Sequence, residues 1–406
     1  MKVFLLGSVV SPEEVDRIFK KSKIRPSVAP VYFQHSLISG LKDNGLDVTV
    51  YSLPPIKSFP NGSRFCWGKR KERLDDGTEV TWLPTINVVG LKQVSAYLSA
   101  KHALKKWLKE NRNEKEKVVL CYYLYPPMAK AAVRLCKKFN VKSCVVVTEL
   151  IYFKNTSTQK KIKDFFVDKM LKDMSHLVDL FDGYVFLTKY MVEKYHAEKK
   201  PFTIVEGLSN PNLFDGIVIE KKENAVTYTG GLSKSFGIDK LVKAFHKTKG
   251  DYKLYIYGMG ECAELIKEYA KKDDRIVFKG SVERQQLLVP QVSSKILVNV
   301  KPSNEEYTKY TFPSKMMEYM LSGTPVLTTK LQGIPDDYFN YCYSIEDESV
   351  EGIKTAIENV LAKPSEELEM MGEKARRFVI EKKNKTVQCA KIKELLEKIM
   401  KEDESL

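Results

Sequence analysis

The chain carries Thr311-Phe312-Pro313-Ser314-Lys315, with Glu318 a turn further on. These types and spacings suit phosphate and sugar chemistry. Pro313 fits the first turn of a helix, Thr311 or Ser314 could cap it, and Gly323 fits the position just past its end. The first turn of such a helix offers backbone N–H groups with no partner inside the helix, a common cradle for phosphate. Ser314 and Lys315 stand beside those groups. Glu318 falls near the same face; its carboxylate would repel phosphate, but its two oxygens suit a pair of sugar hydroxyls. Together these residues describe a pocket for a nucleotide diphosphate carrying a sugar. The same pattern also fits a plain capped helix with a solvated glutamate.

Three glycine-bearing turns could complete the pocket. Thr229-Gly230-Gly231-Leu232-Ser233 follows an apolar run and lets a phosphate approach the backbone, with Lys234 near enough to add a point charge. Tyr257-Gly258-Met259-Gly260 repeats the arrangement, but Ala263 stands where a dinucleotide fingerprint would need its third glycine. Asp273 is one weak candidate for the acid that such a fingerprint needs at a ribose. In Lys279-Gly280-Ser281-Val282 the backbone could meet a nucleobase edge, although an ordinary strand-to-helix turn reads the same way.

On the acceptor side, Thr148-Glu149 ends the run Val145-Val146-Val147. A carboxylate at the carboxyl end of a strand could orient or deprotonate an acceptor hydroxyl; a surface or capping glutamate is the plainer alternative. His35 stands in the first helix as a second acceptor-side residue or a structural one. Residues 159–178 set Ile162, Phe165, Phe166, Met170, Met174 and Leu177 on one side with lysines around them. Such a helix either rests on an anionic membrane surface or covers the sheet of its own domain.

The elements that must position these groups alternate along the chain. Short apolar runs predict strands at 2–7, 47–52, 80–83, 117–122, 143–148 and 183–187, with helices at 32–44, 91–110, 127–139 and 159–180. The pattern restarts with strands at 225–228, 252–257, 275–279, 296–300, 325–329 and 342–344. Helices fill the gaps at 237–248, 262–271, 282–291, 313–321, 349–361 and 365–381. β-branched runs separated by amphipathic helices indicate α/β architecture with parallel sheets covered on both faces. Two doubly wound, Rossmann-like domains follow, facing across a cleft: 1–205 for an acceptor and 206–385 for a nucleotide-sugar donor. The break is placed at Glu206-Gly207-Leu208-Ser209-Asn210-Pro211. The last helix, within 386–406, could pack across the junction or belong to the second domain.

At 406 residues the chain exceeds what one core usually supports. Apolar residues make up 43% and charged ones 29%, as in ordinary globular proteins. No run is long enough to span a bilayer, and the apolar start is a first strand, not a secretion signal. Seven scattered cysteines without a CxxC pair argue against a disulfide scaffold or zinc site and for a cytoplasmic, reducing setting. The dispersed histidines offer no metal site. The net charge of +15 suits a phosphorylated substrate or an anionic membrane surface, with much of it on solvated helices. No nucleic-acid-binding signature accompanies it.

In the order Thr229-Gly230-Gly231-Leu232, Gly237-Ile238-Asp239, Tyr257-Gly258-Met259-Gly260, Phe278-Lys279-Gly280 and Phe312 through Val326, the chain resembles retaining GT-B glycosyltransferases of glycosyltransferase family 4, especially those of bacterial exopolysaccharide or capsule synthesis. The block from Phe312 is the specific part. The resemblance implies a metal-independent hexosyltransferase-like enzyme with no cofactor and a nucleotide-diphosphate sugar, a UDP-sugar by analogy, as donor. The acceptor would be a glycan or a lipid-linked sugar at the inner face of the membrane. It further implies that Glu318 contacts the donor ribose. Two departures stand out. The family's first glutamate falls on Tyr310, with Glu305 and Glu306 nearby. Its basic pair falls on Gly231 and Phe236, leaving Lys234 and Lys315 as substitutes. The expected site is therefore Glu149, Lys234, Lys315 and Glu318 for chemistry. Gly230, Gly231, Gly258, Gly280, Val282, Thr311 and Ser314 would line the donor. A sugar-nucleotide-binding protein without turnover is the main alternative, and a nicotinamide-dependent oxidoreductase a weaker one.

Overall fold

The computed structural model describes residues 1–23, 28–123, 125–148, 176–219 and 221–401. The chain forms two compact units, one from residues 1–208 and 385–406 and the other from 209–384. Each is a parallel α/β layer structure, and no described helix is long and apolar enough to cross a membrane.

The first unit is built on β1 (Lys2–Gly7), β2 (Asp47–Ser52), β3 (Cys66–Trp67), β4 (Lys71–Arg73), β5 (Glu79–Trp82), β6 (Thr85–Ile86), β7 (Lys117–Tyr122), β8 (Lys142–Val147), β9 (Gly183–Phe186) and β10 (Phe202–Ile204). Eight of these join in the order β10-β9-β8-β7-β1-β2-β5-β4, parallel except where β4 pairs antiparallel with β5; β3 and β6 form a separate antiparallel pair. The central strands are apolar along nearly their whole length because helices cover both faces: Val118, Val119, Leu120 and Cys121 of β7 are all buried. Helix Leu91–Glu110 turns Ala96, Ala100, Leu104, Trp107 and Leu108 inward. The last helix, Lys385–Lys401, lies in this unit: Cys389, Ile392, Leu395, Leu396 and Ile399 join the core formed by β1, β2 and helix Ala29–Asp43. Gly40 permits that approach, since a Cβ there would stand 2.5 Å from the Lys385 carbonyl oxygen.

The second unit contains β11 (Glu223–Thr229), β12 (Lys253–Tyr257), β13 (Ile276–Gly280), β14 (Ser294–Asn299), β15 (Val326–Thr329) and β16 (Tyr343–Ile345), all parallel, in the order β13-β12-β11-β14-β15-β16. From β11 the chain moves outward to β12 and β13, then returns to β14 on the other side. The carboxyl ends of β11 and β14 therefore flank a topological switch point, where open α/β sheets hold ligands. That places Gly230-Gly231, after β11, beside Lys301, after β14. Most strands fall within a residue or two of their predicted positions. The unpredicted ones, β3, β4, β6 and β10, are two or three residues long.

Candidate nucleotide-sugar site

Three loops and one helix of the second unit converge at the switch point. Helix Ser314–Leu321 begins after Pro313, which is its N-cap and supplies no side-chain cap bond. Neither expected cap forms. Ser314 is already the first helical residue. The Thr311 hydroxyl accepts from Lys301 Nζ at 3.2 Å and donates to the Tyr307 carbonyl at 3.4 Å. The first turn thus keeps its N–H groups free of a side-chain cap, as an anion cradle requires. At the other end Gly323 takes φ +73 just past the Ser322 C-cap, as expected.

Lys315 projects from that turn beneath the glycine loop. Its Nζ lies 3.8 Å from the centre of the Tyr228 ring, and a Cβ on Gly230 would approach it to 3.2 Å. The Tyr228 hydroxyl donates to the Gly231 carbonyl at 2.8 Å. Buried Tyr319, one turn along the same helix, accepts from Thr229 N–H at 2.8 Å. The helix therefore fixes the end of β11 as well as offering Lys315. Burial, and then the nearby Lys301 charge, pushes the Lys315 ammonium down to about 7. Burial likewise lowers Lys301 to about 8, its Nζ standing 4.4 Å from the Tyr307 ring centre. Among the described residues no carboxylate forms an ion pair with either lysine. Two cations held together in aromatic surroundings without an acid are poised for an anionic ligand.

The glycines have distinct jobs. Gly230 has φ +136, and Gly258, with φ +144, brings its backbone so close that an added Cβ would lie 1.8 Å from the Gly230 carbonyl oxygen. Gly260 packs similarly on Leu232, at 2.4 Å from its carbonyl oxygen. Gly258 and Gly260 are thus required by the crossing of two loops. Gly231 faces Phe236, whose ring would meet a Cβ at 2.7 Å. The Gly280 carbonyl accepts from Gly258 N–H at 2.8 Å, so part of the backbone expected to meet a base secures that crossing instead. Val282, half-buried between exposed Ser281 and Glu283, precedes helix Arg284–Ser293.

Glu318 is not the solvated glutamate of the plainer alternative. Arg284 Nη2 donates to one carboxylate oxygen at 2.7 Å and Gln291 Nε2 to the other at 2.8 Å. Both partners come from helix Arg284–Ser293, whose start is fixed by a capping box between Glu283 and Gln286. The clamp orients the carboxylate and leaves lone pairs on both oxygens for further donors.

Lys234 differs from Lys315. It opens the short 3-10 helix Lys234–Phe236 with an exposed side chain, and its backbone N–H donates to Glu261 at 3.0 Å. That bond, with one from Ser233, lowers the Glu261 carboxyl. Glu305 precedes the 3-10 helix Glu306–Tyr310 and uses its carbonyl to hold Thr308. Asp273 is engaged elsewhere: Arg275 grips both of its oxygens, at 2.9 and 2.8 Å, and His246 lies 3.1 Å away. The first of these contacts draws its carboxyl down to about 2. It serves as a strut, not as a ribose acceptor.

In the first unit the switch point lies between β1 and β7. Gln34 ties the start of the following loop, accepting from Ser8 N–H at 2.7 Å and donating to the Ser8 carbonyl at 3.1 Å. His35 Nε2 lies 2.8 Å from the Val10 carbonyl, which fixes the ring beside that loop. Glu149 and the expected helix at 159–178 lie outside the described residues, apart from the last three positions of that helix.

Lys301, Arg284, Gln291 and Tyr228 were not singled out by sequence reasoning. Lys301 had a usable signal, its position at the carboxyl end of a predicted strand. Arg284 and Gln291 had none, because their approach to Glu318 depends on how two helices pack.

The fold and this geometry define a class: two Rossmann-type units of the GT-B glycosyltransferase architecture. Residues 223–363, which contain the whole constellation, match the family described as Glycosyl transferases group 1. Solved structures agree on the fold. A sucrose-phosphate synthase from Thermosynechococcus elongatus superposes with TM-score 0.68 at 14% identity, covering 98% of this chain and 99% of that one. A UDP-forming α,α-trehalose-phosphate synthase from Burkholderia vietnamiensis gives 0.62 at 10% identity, with 98% and 100% covered. The lipopolysaccharide outer core galactosyltransferase WaaB gives 0.59 at 13%, with 98% and 99% covered. No curated protein sequence matches the chain.

Proposed function

We propose that the protein is a retaining glycosyltransferase that moves a sugar from a nucleotide-diphosphate sugar to a glycan or lipid-linked sugar. The observation that carries this reading is the Lys315–Lys301 pair, desolvated, acid-free and set under Gly230 at the amino end of helix Ser314–Leu321. A diphosphate supplies the charge this place lacks, and the clamped Glu318 one turn on receives the ribose hydroxyls. UDP is the favoured nucleotide, supported by the UDP-forming synthase of the same fold.

In the reaction the bond between the anomeric carbon and the diphosphate oxygen breaks while a bond to the acceptor oxygen forms on the same face. The acceptor proton passes to a departing phosphate oxygen. Lys315, Lys301 and the N–H groups of Gly231 and Ser314 oppose the charge that develops there, with Lys234 as an outer contributor. No step calls for a metal. Removing one such preorganised donor costs about 3–4 kcal/mol of transition-state stabilisation. Glu149 and His35 are assigned to the acceptor side of the first unit. The enzyme would work in the cytoplasm, peripheral to the membrane, on exopolysaccharide or capsule precursors.

A second reading, donor binding without turnover, is favoured by Tyr310 standing where the resembling enzymes carry their first glutamate. A panel of nucleotide sugars, read by mass spectrometry of hydrolysis and transfer products with membrane lipid extract as acceptor, separates the two. Transfer from one donor supports the enzyme; donor binding with no product supports the second reading.

A further inference from the structure

Outside the nucleotide site, the first unit presents an apolar face that stands exposed among the described residues. Phe59 and Phe65 pack ring to ring at 6.4 Å and are 46% and 59% exposed. The neighbouring backbone is knit together: Phe59 N–H donates to Asn87, Asn87 N–H to Phe65, and Ile86 pairs with Cys66. Ser95 accepts from Ile86 N–H, which anchors helix Leu91–Glu110 to the same surface. On the outer side of that helix, Leu91, Val94 and Leu98 recur at spacings of three and four and are each more than half exposed. The stripe continues as exposed Lys101 and Lys105. A contiguous apolar surface of this kind marks an interaction site.

The charge around it selects the partner. Residues 53–71 and 80–109 contain no Asp or Glu, while Lys57, Arg64, Lys101 and Lys105 rim the apolar side chains. A second copy of the chain would bring the same cations face to face. Nucleic acid would use the cations but not the exposed Val94, Leu98 and Phe65. We infer that this face seats the protein on an anionic lipid bilayer, the apolar side chains entering the interface and the lysines meeting headgroup phosphates. The inference deepens the peripheral placement proposed above and uses residues distinct from those at 159–178.

Flotation of the full chain with vesicles tests it, without reference to turnover. Phosphatidylcholine vesicles containing phosphatidylglycerol should carry the protein, and phosphatidylcholine alone should not. V94Q/L98Q and K101E/K105E should each weaken partitioning about tenfold, with unchanged thermal melting and unchanged UDP binding. Loss of UDP binding in the unaltered chain would fault the transferase reading and leave this one standing. Three results overturn the inference: no vesicle binding, binding indifferent to both double variants, or a dimer that V94Q/L98Q dissolves.

Discussion

The two units handle positive charge in opposite ways. In the second, Lys315 and Lys301 are drawn into aromatic surroundings, and burial lowers their ammonium groups to about 7 and about 8. In the first, Lys101 and Lys105 stand in solvent at the end of an apolar stripe. A desolvated cation interacts strongly and specifically with a ligand that enters its site, whereas a solvated one is screened and acts in numbers. The comparison separates a site that chooses a small anion from a surface that adds up contacts with an extended one.

The largest effect that could break this contrast is at Lys315. Lys315→Met should lower transfer about a hundred- to a thousandfold in steady-state kinetics. Melting should show a gain of about 1 kcal/mol, because an unpaired, partly desolvated ammonium is replaced by an apolar chain. A variant with full activity would remove the assignment. Gly258→Ala should lower stability by about 2–4 kcal/mol, since its Cβ would collide with the Gly230 carbonyl at positive φ; denaturant melts report it. Arg284→Ala should raise the donor KM about tenfold with little change in kcat, by unclamping Glu318 rather than removing it. Lys234→Ala should be the mildest, about two- to threefold in kcat/KM, because its side chain lies in solvent.

Proton linkage sharpens the same contrast. Folding lowers the Lys315 ammonium from 10.5 to about 7, so between those values the unfolded chain binds more protons. The cost of burying this charge is therefore full below about pH 7, falls as pH rises across that window, and is absent above it. Bound diphosphate should restore the charged form, so ligand binding near pH 8 should take up protons and weaken as pH rises further.

Much of the fold was legible because parallel strands buried on both faces read as continuous apolar runs; β1, β2 and β7 fall at their predicted residues. β3 and β6, two residues each, carry no periodicity that a sequence can display. Helix Pro12–Lys21 was not among the expected helices, although its first residue is a proline, a type that suits the first helical turn. At the site, the proximity of Ser314, Lys315 and Glu318 followed from helical spacing. Lys301 and the Arg284–Gln291 clamp did not, since they arrive through the sheet order and the packing of separate helices. The capping role expected of Thr311 failed because the helix begins at Ser314 with Pro313 as its N-cap, which leaves Thr311 two residues too early.

The most direct measurement is isothermal titration of UDP into the full chain and into Lys315→Met near pH 8, in buffers of different ionisation enthalpy. The account predicts binding by the unaltered chain with net proton uptake, and at least about tenfold weaker binding by the variant with that uptake reduced. Equal affinity in both proteins, with the same proton exchange, would contradict it.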